Sequence, residues 1–145
     1  MSRESVAIVR RIYDYLDLRR PGSVRTVSVS REPFKELIDP NIEWLGPRES
    51  PDLAEPHYGR EGVARYLVKV AEVLDDYRMA PERFIDAGDE RVLVFSREGG
   101  RGKGIGAEVQ THLTAHLWTL RNGRAVRMQS YWERADALQS VGLAE

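Results

Sequence analysis

The sequence predicts an α+β fold in which a curved antiparallel sheet packs against helices from the amino-terminal half. Three observations predict it. Apolar residues recur at helical spacing at Val9, Ile12, Tyr13 and Leu16, and again at Val63, Leu67, Val70, Ala71 and Leu74. From about residue 78 to 132, strand-like segments follow one another with no helix between them. Asn122-Gly123, whose residues both tolerate positive φ, then joins two of those segments as a tight hairpin.

In chain order, Ser2 caps a first helix that ends near Arg19-Arg20, before Pro21-Gly22. Residues 21–33 are a Ser-, Arg- and Val-rich connector, read as a loop, with a short edge strand over Thr26–Val29 as the alternative. Phe34 to Ile38 makes a second short helix that Asp39-Pro40 stops, because the residue before proline is pushed out of the helical region. Asn41 to Leu45 is a short strand. Residues 46–58 carry Pro47, Pro51 and Pro56 and read as a surface loop of the kind that covers a site. The third helix runs from Gly59 to about Asp76. Arg78 to Ala87 is a strand bulged at Pro81, which cannot donate to a ladder. Arg91–Arg97 is the next strand, and Gly99 to Gly106 a glycine-rich turn. Strands at 108–120 and 124–132 form the Asn-Gly hairpin, and Ala135 to Val141 a terminal helix closed by Gly142.

With 145 residues, 41% of them hydrophobic and 31% charged, the chain reads as a single domain spanning 1–145 with a core of its own. A formal charge of −1 argues against a nucleic-acid partner. The nineteen arginines and three lysines are scattered rather than blocked. Without cysteine there is no disulfide, thiol nucleophile or thiolate metal site. Charges throughout residues 1–20 leave no apolar leader segment, and no stretch suits a membrane span, so the default compartment is the cytoplasm.

The chemistry concentrates on the hairpin. One face of its first strand carries Gln110, His112, Thr114, His116 and Trp118, too polar for plain core and too aromatic for plain surface, and is read as pocket lining. Tyr13, Trp44, Met128 and Trp132 supply the apolar wall, Ser130 adds a hydroxyl, and Tyr58 and His57 stand in the loop over the mouth, with plain surface exposure as the alternative for both. The opposite row, Val109, Thr111, Leu113, Ala115 and Leu117, is costly to expose and predicts either a two-fold dimer or cover by the terminal segment. His112 and His116 have the spacing of a helical zinc pair, but four strand residues span about 13 Å, so no metal site is expected. The run Gly99–Gly106 lacks the Ser or Thr that a phosphate loop needs after Gly-Lys, and no cofactor is expected.

Several segments carry a resemblance as well as a pattern. Asp39-Pro40-Asn41-Ile42-Glu43-Trp44, Tyr58-Gly59-Arg60-Glu61-Gly62-Val63, Phe84-Ile85-Asp86-Ala87-Gly88-Asp89, His116 to Gly123 and the ending Ala137-Leu138 to Gly142-Leu143 stand in the order of one family. Together they resemble SnoaL-like proteins of the nuclear transport factor 2-like superfamily, which includes ketosteroid isomerases, polyketide cyclases and limonene epoxide hydrolases. The resemblance implies a cone-shaped α+β barrel with a hydrophobic pocket, and commonly a homodimer.

It also implies where catalytic carboxylates would stand. The cyclase and epoxide-hydrolase position on the last strand holds Ser130 here. The isomerase base position holds Trp44, and the isomerase oxyanion donor falls at His116. Arg97 matches an epoxide-hydrolase arginine whose acidic partner is replaced by Gly99; Glu43 points away from Trp44's side of its strand. The remaining proton-transfer candidates are His116 and, beside it, His112. Two functions follow. One is acid–base chemistry (isomerase, cyclase or hydrolase) on a small, largely apolar metabolite. The other is a non-catalytic binding or scaffold domain.

Overall fold

The computed structural model describes residues 2–16, 34–102 and 108–143. The chain opens with helix α1 (Ser2–Leu16) and the single turn α2 (Phe34–Leu37). Strand β1 (Ile38–Leu45), the short helix α3 (Pro51–Ala54), strand β2 (His57–Tyr58) and helix α4 (Gly59–Val73) follow. Four long strands come next, β3 (Leu74–Gly88), β4 (Arg91–Gly102), β5 (Glu108–Arg121) and β6 (Arg124–Tyr131), and helix α5 (Arg134–Ser140) ends the fold.

The strands make one six-stranded sheet in the order β2-β1-β6-β5-β4-β3. All neighbours pair antiparallel except β1 and β6, which run parallel. The sheet is curved but unclosed, with β2 and β3 at its edges, so the expected cone is open and not a sealed barrel. The α+β layout expected from the sequence is the one found.

The Asn122-Gly123 hairpin forms as predicted, with φ values of 54° and 79° at the two turn residues and Arg121 facing Arg124. Positive φ at both central residues is what a two-residue turn between right-twisted strands demands. Pro81 interrupts the β3–β4 ladder, where the register shifts between Pro81 and Arg83.

Several boundaries differ from expectation. Ile38 belongs to β1, not to the helix before it. The third helix stops at Val73, and the chain passes straight into β3, which starts at Leu74. β4 continues through the expected glycine turn to Gly102, because Gly99 and Gly100 still have strand partners in Arg78 and Val109. The connector 21–33 and residues 103–107 of the turn lie outside the described residues.

Two apolar clusters lie on opposite faces of the sheet. The larger joins Val9, Ile12, Tyr13 and Leu16 of α1 to Trp44, Val63, Leu67, Val92, Val94, Trp118 and Met128. The smaller holds Leu93, Phe95, Ala115 and Leu117 against Ala137 and Leu138 of α5, with Leu113 packed at its border. Of the two covers expected for the outward row of β5, the terminal helix is the one seen over Ala115 and Leu117.

The loop after β1 is fixed by a close approach. Gly46 donates its backbone N–H to the Leu53 carbonyl at 3.1 Å, and a Cβ on Gly46 would lie 2.2 Å from that oxygen. Only glycine fits there. Among the described residues no helix is long and apolar enough to cross a membrane.

Candidate functional site

The concave face of the sheet and helices α1 and α4 enclose a cavity. Alternation along the strands decides who faces it: Trp118 and His116 of β5 stand opposite Val92 and Val94 of β4, and Thr114 opposite Ser96. Two residues further along β4, on the same face, comes Glu98. Tyr13 and Leu16 reach the cavity from α1, Tyr66, Leu67 and Val70 from α4, and Tyr77 and Met79 from β3. Trp44 and Met128 close it from the neighbouring strands β1 and β6. The empty space between lining atoms, mouth included, is about 410 Å³, of which the centre of a water molecule reaches about 30 Å³. That is room for about two waters, so a larger ligand needs side chains to move.

The polar groups form a directed chain. The Trp118 indole N–H, which can only donate, points to the Tyr13 oxygen at 3.0 Å. The Tyr13 hydroxyl lies 2.5 Å from His116 Nδ1, and His116 Nε2 lies 3.6 Å from Glu98 Oε2. Tyr13 has no other acceptor among the described residues, so its hydrogen goes to Nδ1. Nε2 of the same ring faces the carboxylate. Glu98 also accepts the Tyr77 hydroxyl on Oε1 and the Thr114 hydroxyl on Oε2.

The titration behaviour follows from that arrangement. Burial works to raise the Glu98 pKa, but the charge and hydrogen bond of His116 outweigh it together with the Thr114 and Tyr77 hydroxyls, and the value falls below that of an ordinary carboxylate. Burial, reinforced by the charge of Glu98, raises Tyr13 and Tyr77 well above the usual phenol value and raises Tyr66 as well. The cavity therefore holds one carboxylate among neutral phenols. Because the folded-state pKa of Glu98 is depressed, its stabilising contribution is fully present above about pH 4.3, the unfolded value, and is lost as pH falls through the folded one. Urea melts between pH 7 and pH 3 are expected to show a shallower acid loss for Glu98→Gln than for the parent chain. Equal slopes would remove Glu98 from the acid limb.

Tyr13, Trp44, Trp118, Met128 and His116 all line the cavity. Thr114 and Ser130 are buried beside them; Thr114 bonds Glu98, and Ser130 pairs across the ladder with His116. Trp132 and Tyr58 do not reach the cavity, being 41% and 59% exposed. Trp132 falls after the end of β6 and so escapes the strand alternation, while Tyr58 sits on the edge strand β2, opposite Glu43, with its ring outward. His57, expected in the loop over the mouth or else at the surface, is buried edge-on against Tyr66 at 5.5 Å. The backbones of Gln110 and His112 lie in β5 as expected, but their side chains are outside the described residues. Arg97 and Glu43 lie on the exterior, in ion pairs with Glu82 and Arg127 at 2.9 and 2.8 Å.

The residue that sequence reasoning missed is Glu98. The alternation Val92, Val94, Ser96, Glu98 carried the signal, but it depends on β4 running past Arg97 into glycines. Tyr66 and Tyr77 were missed as well, Tyr77 because it follows the unexpected helix-to-strand switch. Trp44 Nε1 is buried without an acceptor among the described residues, which leaves the wall a spare donor. No group of three or more His, Asp or Glu among the described residues could hold a metal.

The SnoaL-like domain family matches residues 10–128. Three solved structures are similar over nearly their whole lengths. TerC, co-crystallised with polyporic acid, is 25% identical, with 95% of this chain and 98% of that one covered at a TM-score of 0.70. An NTF2-like protein of unknown function from Burkholderia pseudomallei K96243 is 23% identical, with 98% and 99% covered at 0.70. A putative SnoaL-like polyketide cyclase from Jannaschia sp. CCS1 is 16% identical, with 100% and 96% covered at 0.64. No curated protein matches the sequence.

Proposed function

The chain belongs to the SnoaL-like domain family, and we propose that its cavity takes one small, largely apolar molecule and moves a proton on it through His116. The observation that carries this reading is the hydrogen-bonded chain Tyr13–His116–Glu98 inside an otherwise apolar wall. Glu98 holds the Nε2–H tautomer and leaves Nδ1 as the basic lone pair. Tyr13 occupies that lone pair with its own hydrogen and accepts from Trp118, so one lone pair on its oxygen remains for the ligand.

In the proposed step a ligand C–H or O–H breaks as its proton passes to the Tyr13 oxygen, while the Tyr13 proton passes to Nδ1. The raised pKa of Tyr13 makes a free phenolate costly, so the two transfers are coupled. The imidazolium that results lies beside the Glu98 carboxylate. Trp44 Nε1–H is the donor available to a ligand oxygen that gains charge. The carboxylate differs in position from those of the superfamily enzymes, since the equivalent places here hold Trp44, His116 and Ser130. That TerC was co-crystallised with polyporic acid supports small-molecule binding by a protein of this shape.

A direct test is deuterium uptake next to the carbonyl of small ketones, cyclopentanone first, followed by NMR in heavy water. Exchange above the buffer rate that disappears in His116→Gln is expected. Saturable binding without exchange would favour the second reading, a binding domain without turnover. That reading has its own support, since Tyr13, His116 and Glu98 all find partners within the protein. Association into a two-fold dimer through the row Val109, Thr111, Leu113, Ala115 and Leu117 is a proposal that sedimentation would measure.

A further inference from the structure

Glu98 is the one carboxylate among the described residues that line the cavity, and the described group beside it that can carry positive charge is the His116 ring. Among the described residues no lysine or arginine lines the cavity, and Tyr13, Tyr66 and Tyr77 stay neutral. His116 meets the Tyr13 hydroxyl through Nδ1 and faces Glu98 through Nε2 at 3.6 Å. A carboxylate in an apolar interior is costly unless something pairs with it. The surrounding wall is unusually suited to a cation. Five aromatic rings (Tyr13, Trp44, Tyr66, Tyr77 and Trp118) line the same space. Trp44 and Trp118 meet edge to face at 5.5 Å, as do Tyr13 and Trp118 at 5.7 Å. Ring faces attract positive charge through their quadrupoles, most strongly where water is excluded.

Resting on the reading of this cavity as a ligand site, we propose that its ligand is a small organic cation, an ammonium group whose alkyl substituents pack on the aromatic wall and whose charge faces Glu98. Hydrogen bonding narrows the class further. A carboxylate offers about four lone-pair sites, and Tyr77, Thr114 and His116 take three of those on Glu98. One remains. A tertiary ammonium has a single N–H and a quaternary one has none, so both can be buried here without stranded donors. A primary ammonium brings three donors and finds one acceptor, which costs it desolvation that the site does not return. The class is therefore tertiary or quaternary amines.

Isothermal titration of the full chain with trimethylammonium, tetramethylammonium and methylammonium chlorides, each against sodium chloride of equal strength, tests this. Tert-butyl alcohol serves as the uncharged probe of similar shape. Trimethylammonium is expected to bind about tenfold or more tightly than either methylammonium or tert-butyl alcohol. Glu98→Gln should remove that advantage and leave the alcohol unaffected. Should Glu98→Gln fail to fold, Tyr66→Leu removes one ring face without touching the bonds to Glu98, and it should weaken the cations selectively. Equal binding of the alcohol and the cations would overturn the cation proposal and leave the apolar-ligand reading in place. Absence of cation binding to the folded chain would overturn it too, and ketone exchange would still decide the proposed function separately.

Discussion

Replacing His116 by glutamine is expected to lower turnover of any exchanging ligand by about a hundredfold or more, with affinity nearly unchanged. The substitution is chosen for the local geometry. A glutamine carbonyl can accept from Tyr13 where Nδ1 does, and its amide can donate to Glu98 where Nε2–H does, so the chain of bonds survives. What disappears is the ability to take and return a proton near neutral pH. Single-turnover and steady-state deuterium exchange separate the two effects: kcat should fall while KM stays within a few-fold. If kcat is retained, His116 is not the proton-transfer residue; Glu98 then becomes the candidate base, with exchange lost in Glu98→Gln.

The second large effect is on stability. Trp118→Ala should destabilise the fold by about 3–5 kcal/mol. The ring is 1% exposed and packs edge to face on both Trp44 and Tyr13, and its N–H is the first donor of the chain that ends on Glu98. Truncation leaves a void at the centre of the larger apolar cluster and takes away the donor to the Tyr13 oxygen. Trp118→Phe restores most of the packing but not that donor, and should cost about 1 kcal/mol beyond the loss of volume. Urea unfolding of the two variants measures both. A loss of under about 1 kcal/mol in Trp118→Ala would mean that the cavity collapses onto the gap, and that the aromatic wall is softer than its packing indicates.

Legibility in the sequence follows the strength of local rules. The hairpin around Asn122-Gly123 was readable because its turn requires residues of one kind, and the period-two rows on either side then assigned faces without any knowledge of the partner strands. The same alternation delivered His116 and Trp118, and the helical stripe delivered Tyr13. Glu98 was hidden because its side depends on how far β4 extends, and Gly99 and Gly100 read as turn until the ladder with Arg78 and Val109 is known. The places where the resemblance puts carboxylates hold Trp44, His116 and Ser130, whereas the carboxylate lining this cavity is Glu98 on β4. His57 was placed in the loop over the mouth or at the surface since a two-residue strand has no periodicity to read. Its burial comes from pairing with Trp44 and from α4, where a Cβ on Gly62 would lie 2.8 Å from the His57 carbonyl carbon. Trp132 was misplaced for the converse reason, as alternation was carried beyond the end of β6.

The parallel pairing of β1 with β6 bears on how the protein is made. Glu43 and Arg127, joined across that ladder, stand 84 positions apart. Antiparallel neighbours joined by tight turns can zip as they emerge, whereas β1 has only the two residues of β2 to pair with until β6 exists. A nascent chain therefore carries the apolar side of Trp44 and Ile42 without its strand partner through most of synthesis. The loop-closure entropy of that last docking falls on a single late event. Chains that terminate before Arg124 would retain every helix up to α4 and the paired strands β3, β4 and β5, yet leave the sheet split between β1 and β5 with open, sticky edges, the state most exposed to aggregation and to quality-control proteases.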